Sequence, residues 1–143
     1  MNNKFEASTV MLRVVLGISF FIHGVAKFQG GIENTVGWFD SIGIPGGLAY
    51  VVALVELIGG AALVLGLGTK IVAGLLSLVM LGAIFKAKLA LGFLGDGQMA
   101  GYELDVAFLA MAVFLAINGS RMLALDQLIV NALPNKSENN KAA

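Results

Sequence analysis

The sequence contains no cysteine and only one histidine. The absence of cysteine excludes disulfides, thiolate-bound iron–sulfur clusters and thiol–quinone exchange. A single histidine excludes bis-histidine haem ligation within one chain, and with acids this scattered along the sequence we expect no metal site. Any redox role must therefore depend on a bound cofactor, a quinone or a partner protein.

Charged residues are also scarce, at 13% of the chain against 58% hydrophobic residues. A soluble domain usually has about 25% charged residues, so this composition predicts an integral membrane protein with the lipid bilayer as its main partner. The nine basic and nine acidic residues leave no net charge. That balance gives no indication of a nucleic-acid partner.

The apolar residues are grouped into four long runs, each near the ~20 residues needed to cross a bilayer. The runs cover residues 9–28, 48–67, 70–93 and 102–117. The predicted fold is therefore an all-α integral membrane protein, a four-transmembrane-helix bundle. We expect this domain to cover residues 1–133 and a disordered cytoplasmic tail to cover residues 134–143.

The first loop carries a weaker helical pattern. Ile32, Val36, Phe39 and Ile42 fall near helical spacing, which predicts a short amphipathic helix in the membrane interface, with Trp38 at headgroup level. Pairs of small residues four positions apart occur in the second and third runs. They favour close packing within the bundle over a homodimer interface, which stays open as an alternative.

Ionisable side chains within the bilayer cost at least ~2.5 kcal/mol each near its centre, so they pair or line a cavity. If both termini are cytoplasmic, most of these groups gather in the outer half of the bundle. Glu56 then lies roughly 12 Å below the outer boundary at ~1.5 Å per residue, too deep to reach water easily. We expect Glu56 to pair with a basic residue, namely His23, Lys27, Lys86 or Lys88, or Arg13 if the first helix sits deeper.

Helical spacing limits which side chains face inward. One face of the first helix holds Arg13, Gly17, Phe20, Gly24 and Lys27, which step by four, three, four and three. In the third and fourth runs, helical spacing does not settle which ionisable side chains face the bundle. Two residues two positions apart differ by about 200° around a helix, so the pattern leaves open whether Lys86 or Lys88, and whether Glu103 or Asp105, faces the bundle.

These placements define a candidate site beside aromatic rings, which would suit a planar ligand. We assign a catalytic role to Glu56 and His23. The candidate ligand-binding residues are Arg13, Phe20, Lys27, Lys86, Lys88 and Glu103. Each has a structural alternative: an ion pair can simply lock helices together, lysines can anchor helix ends, and phenylalanines can serve only packing.

Together these residues resemble a known family. The resemblance covers about residues 12–126 and is carried by residues on helices one, two and four, namely Arg13, Gly17, Phe20, His23, Gly24, Lys27, Glu56, Gly59, Gly60, Gly66, Gly101, Tyr102 and Glu103. This pattern is similar to the DoxX family of small bacterial membrane proteins, above all its catechol- and quinone-stress members that carry an oxidoreductase label. The end of helix four, before Asp126, matches the family pattern only in part.

The resemblance implies a multi-pass protein of the bacterial plasma membrane with a role in redox or quinone stress, as a quinone-linked oxidoreductase component. Binding of a quinone-like aromatic molecule in the outer half of the bundle is the function we favour. Two alternatives remain open from the residues: a membrane subunit that docks soluble redox enzymes, and a transporter of small aromatic compounds. Since four helices are few for alternating access, the transporter would need a dimer.

The distribution of lysine and arginine predicts both termini on the cytoplasmic side, with residues 28–47 outside. Single cysteines introduced into the tail and into this first loop test the orientation without background, because the native chain has none. In intact cells an impermeant thiol reagent is expected to label only the loop cysteine. Labelling of the tail cysteine would reject the orientation.

Overall fold

A computed structural model of the chain describes residues 3–132. The described part forms α1 (Asn3–Gln29), α2 (Ile32–Ser41), α3 (Leu48–Leu65), α4 (Thr69–Gly82), α5 (Glu103–Asn118) and α6 (Leu125–Ala132). Beyond Gly82, α4 continues through a π-helical segment, Ala83–Lys88, and a short 3-10 segment, Leu89–Leu91. The expected tail at residues 134–143 lies outside the described residues.

The four long helices associate as two pairs. Helix α1 packs mainly on α3, and α4 packs mainly on α5, while smaller contacts of α3 with α4 and of α1 with α5 join the pairs. All four helices contribute to one buried core, which consists of Leu16, Phe20, Leu63, Ala73, Leu76, Met80, Ala112 and Leu115. The expectation of an all-helical bundle is confirmed for the described residues.

Glycines bring α1 and α3 into backbone contact. A Cβ atom on Gly24 would lie 2.6 Å from the backbone nitrogen of Leu57, and one on Gly17 would lie 2.8 Å from the carbonyl oxygen of Gly60. Such close approach is how small residues stabilise helix pairs in membranes, where van der Waals contact replaces the hydrophobic effect. Since Gly24 comes one turn before Lys27 and Leu57 follows Glu56, this contact also sets two charged side chains opposite each other.

Among residues 3–132, three helices are long and apolar enough to cross a membrane: Asn3–Gln29, Leu48–Leu65 and the continuous helix Thr69–Leu91. Helix α5 has 16 residues, or about 24 Å of helix, against ~30 Å of hydrocarbon. The structure thus supports three of the four expected spans. The fourth stays a prediction.

The helix expected in the first loop is present as α2. Its residues Ile32 and Phe39 are buried against Ala49 and Ala53 at the start of α3. The Asp40 carboxylate accepts a 2.8 Å hydrogen bond from the backbone amide of Gly46, which fixes the turn between the helices. Helix α2 is therefore docked on the bundle at the end where α1 finishes, and its place in the membrane interface stays a prediction.

The glycine-rich loop between residues 92 and 101 holds the start of α5 near this same end. The Asp96 carboxylate accepts hydrogen bonds from the backbone amides of Met99, at 2.7 Å, and Gln98, at 2.9 Å. These two bonds stabilise the ionised carboxylate and lower the pKa of Asp96. The loop therefore has a defined turn that leads into Glu103.

The opposite end of the bundle is closed around Arg13, which is only 1% exposed. Its guanidinium donates hydrogen bonds to the carbonyl oxygen of Leu123 at 2.9 Å and to the hydroxyl of Ser120 at 3.3 Å. Gly66 lies so close that a Cβ atom there would be 2.7 Å from Nη1 of Arg13. Arg13 thus joins α1 to the chain after α5 and to the turn after α3.

Substituting Gly24 by alanine is expected to lower the free energy of unfolding by about 1–3 kcal/mol, because the new Cβ overpacks against the backbone of α3. The matched control is Gly74→Ala in α4, where an added Cβ meets nothing within 4 Å. This control should be neutral or stabilising by up to ~1 kcal/mol, since alanine favours helix. Thermal unfolding in one detergent compares the two variants, and equal melting temperatures would contradict the close contact.

Candidate ligand-binding site

A cavity of about 800 Å³ lies between the two helix pairs at the end where α2 docks. Ligand pockets commonly have volumes of ~300–1,000 Å³. Its wall is mostly apolar and includes the turn between α2 and α3. The ionisable residues in the wall come from α1, α3, the π-helical segment and α5, namely His23, Lys27, Glu56, Lys86, Lys88 and Asp105.

The first polar feature of the cavity is an ion pair between α1 and α3. The ammonium nitrogen of Lys27 lies 2.5 Å from Oε2 of Glu56, and Glu56 is only 4% exposed. The expected pairing of Glu56 with a basic residue is therefore confirmed, with Lys27 as the partner. The glycine contact at Gly24 explains the choice, because it brings the backbones together one turn away.

A second ion pair joins the π-helical segment to α5. The ammonium nitrogen of Lys88 lies 2.7 Å from Oδ2 of Asp105, which is 7% exposed as a residue. A π-helical turn holds more residues than an α-helical turn, and such turns are frequent at functional sites. Here the wider turn ends at Lys88 and delivers its side chain to the cavity.

Aromatic rings line the cavity beside these charges. The Phe108 ring lies between Phe20, at a centroid distance of 5.6 Å, and His23, at 6.4 Å with the rings at 79°. From the α2 side, Trp38 and Phe39 contribute two further rings, 5.6 Å apart. A flat molecule would find apolar ring faces and edges next to hydrogen-bonding groups.

Six of the eight residues selected from the sequence line this cavity: Phe20, His23, Lys27, Glu56, Lys86 and Lys88. Both lysines of the undecided pair are included, although only Lys88 is held in an ion pair. Arg13 is not among them. It shares a helix face with Lys27 but lies fourteen residues earlier, about 21 Å along the helix.

Glu103 is also outside the cavity wall, and its place is taken by Asp105. On α5, Asp105 continues the buried face of Ala112 and Leu115, whereas Glu103 is exposed. The sequence left open which of these two carboxylates faces the bundle, and in the structure Asp105 is the one that lines the cavity. Because α5 is apolar on nearly all sides, its hydrophobic pattern does not show how the helix is rotated about its axis. The only indication in the sequence was the i, i+3, i+7 spacing of Asp105, Phe108 and Ala112.

The arrangement is suited to hydrogen bonding and proton exchange with an organic molecule. Lysine ammonium groups and the imidazole of His23 can donate to a ligand oxygen, and carboxylates in ion pairs can accept protons. Within residues 3–132 no three histidine, aspartate or glutamate side chains come close enough together to hold a metal ion.

Comparison with known proteins places this architecture in a family. The DoxX family model matches residues 8–89. The chain is 45% identical over 135 residues to the Bacillus subtilis protein named "Putative oxidoreductase CatD", covering 94% of this chain and 96% of that protein. It is 32% identical to an uncharacterized membrane protein of Mycobacterium tuberculosis, over 84% and 80% of the two chains. No solved structure matches the chain significantly.

Replacing Glu56 by leucine strands the Lys27 ammonium in a mostly apolar wall. Loss of one partner of a buried pair costs about 3–5 kcal/mol in soluble proteins, so we expect a large fall in melting temperature. Glu103→Leu removes an exposed carboxylate that forms no ion pair with the described residues, and should change stability little. The double variant Lys27→Leu/Glu56→Leu should recover much of the loss, and a double variant no more stable than Glu56→Leu would contradict the coupling.

Proposed function

The chain belongs to the DoxX family of membrane proteins, and we propose that it acts in redox or quinone and catechol stress by binding a quinone-like aromatic molecule in the cavity. The observation that supports this most is the composition of the wall, in which two ion pairs stand among aromatic rings. Charges are costly in such surroundings. Helix packing alone does not require charges in this wall, whereas binding of a polar, planar ligand does.

The proposed roles follow from the position of each group. Glu56 and His23 exchange protons with the bound molecule, since a carboxylate and an imidazole can each accept and return one. Lys27, Lys86 and Lys88 donate hydrogen bonds to its oxygen atoms. Phe20 and Phe108 contact the ring, and Trp38 with Phe39 cover the cavity from the side of α2.

The cellular setting is part of the same proposal. We place the chain in the bacterial plasma membrane with both termini cytoplasmic, which puts the cavity in the outer half of the bilayer. Electrons for any reduction of a bound quinone would come from a partner redox protein, because the cysteine-free chain supplies no thiol couple of its own. The oxidoreductase name of the Bacillus subtilis relative is in keeping with this role.

Binding is tested by titrating a short-chain ubiquinone or menaquinone analogue and following the fluorescence of Trp38, the only tryptophan. Wild type should show saturable quenching, since Trp38 lines the cavity. Glu56→Gln keeps the shape and removes the charge, so affinity should fall about tenfold, equivalent to ~1.4 kcal/mol.

The matched control is Glu103→Gln, which removes an exposed carboxylate at the start of α5. This variant should bind the analogue like wild type. Calorimetry on the same samples checks that quenching reports binding. A wild type without saturable binding, both in detergent and in nanodiscs, would reject the proposal and favour a role as a docking subunit.

A further inference from the structure

The charges in the cavity wall are not balanced, and from this we infer that the ligand is an acidic aromatic molecule that binds as an anion. The inference rests on the proposed function, since it specifies the class of molecule that the same cavity takes. It concerns one residue above all, Lys86.

Three lysines and two carboxylates line the cavity. Lys27 is paired with Glu56, and Lys88 is paired with Asp105. Lys86 forms no ion pair or hydrogen bond with the described residues, although it lies on the same π-helical segment as Lys88. One positive charge of the cavity wall is therefore in excess.

The other acidic residues near this end of the bundle do not supply the negative charge that would balance Lys86. Asp40 accepts a hydrogen bond from the amide of Gly46, and Glu33 accepts one from the hydroxyl of Tyr50 at 3.4 Å. Glu103 is exposed at the start of α5, and none of these three carboxylates lines the cavity.

Backbone dipoles do not supply it either. At this end of the bundle α1 and the continuation of α4 terminate, whereas α3 and α5 begin. Two negative and two positive helix ends thus face the same region and largely cancel. The excess charge of Lys86 remains for a ligand to neutralise.

An aromatic anion matches this wall better than a neutral quinone of the same shape. Its ring can occupy the space beside Phe20 and Phe108, while its ionised oxygen can form a charge-assisted hydrogen bond with Lys86, which is exposed at the edge of the wall. A neutral quinone can fill the same volume and accept hydrogen bonds. It leaves the charge of Lys86 uncompensated, so it should bind more weakly.

Two probes of nearly equal shape separate these cases. 2-Hydroxy-1,4-naphthoquinone is a vinylogous acid and is ionised at neutral pH, whereas 2-methoxy-1,4-naphthoquinone is neutral. Both are titrated by calorimetry into the full chain in nanodiscs of uncharged lipid. We expect the anion to bind wild type about tenfold more tightly than the methyl ether.

Lys86→Gln should reduce affinity for the anion about tenfold and affinity for the ether much less, because the glutamine amide can still donate a hydrogen bond to a ligand oxygen. Lys86→Arg keeps the charge and should keep the preference. Lys70→Gln, at the exposed start of α4, removes a lysine that does not line the cavity and should behave as wild type. If Lys86→Gln does not fold, loss of the preference of wild type in high salt serves as the second readout.

The outcomes separate this inference from the proposed function. Equal affinity of wild type for both probes, or a preference that survives in Lys86→Gln, would overturn the inference and leave quinone binding intact. Failure of both probes to bind wild type would overturn the two together. A preference for the anion that disappears only in Lys86→Gln supports the inference.

Discussion

The cost of an unpaired charge in lipid is the constraint on which this structure depends. Lys27 and Glu56 satisfy it between α1 and α3, and Lys88 and Asp105 satisfy it between the π-helical segment and α5. The first ion pair therefore links the two helices of one half of the bundle, and the second ion pair links the two helices of the other half. The gap between the halves, at the level of these pairs, is the cavity.

The two ends of the bundle use their polar residues differently. At one end, the guanidinium of Arg13 donates hydrogen bonds to backbone and side-chain oxygens, and Gly66 packs closely against it. The Asp126 carboxylate accepts a 2.8 Å hydrogen bond from the backbone amide of Gly68 at the same end. That end is a packed closure. At the other end the ion pairs leave a volume of about 800 Å³ and a lysine without a partner among residues 3–132. The polar residues thus close one end of the bundle, and at the other end they line the candidate site.

Much of this could be predicted from the sequence, and the misses have physical causes. Apolar runs gave the long helices, and the spacing of Arg13, Gly17, Phe20 and Gly24 identified the buried face of α1. The depth of Glu56 indicated that it must pair. The rotation of α5 could not be predicted, because a helix that is apolar on nearly every side carries no periodic signal. The π-helical segment was missed as well, since Ala83–Lys88 has no pattern that distinguishes it from ordinary helix.

Photolabelling can show whether a ligand occupies the cavity between the helix pairs. A 2-hydroxy-1,4-naphthoquinone carrying a photoreactive group is bound to the protein in nanodiscs and irradiated, and the modified peptides are mapped by mass spectrometry. If a ligand binds there, we expect labels in peptides that hold Phe20, His23 or Phe108, and excess unmodified ligand should prevent this labelling. Two other results would show that the cavity is not the ligand site. These are labels confined to the shallow pocket beside Arg121 and Leu128, and labels on lipid-facing residues that excess unmodified ligand does not prevent.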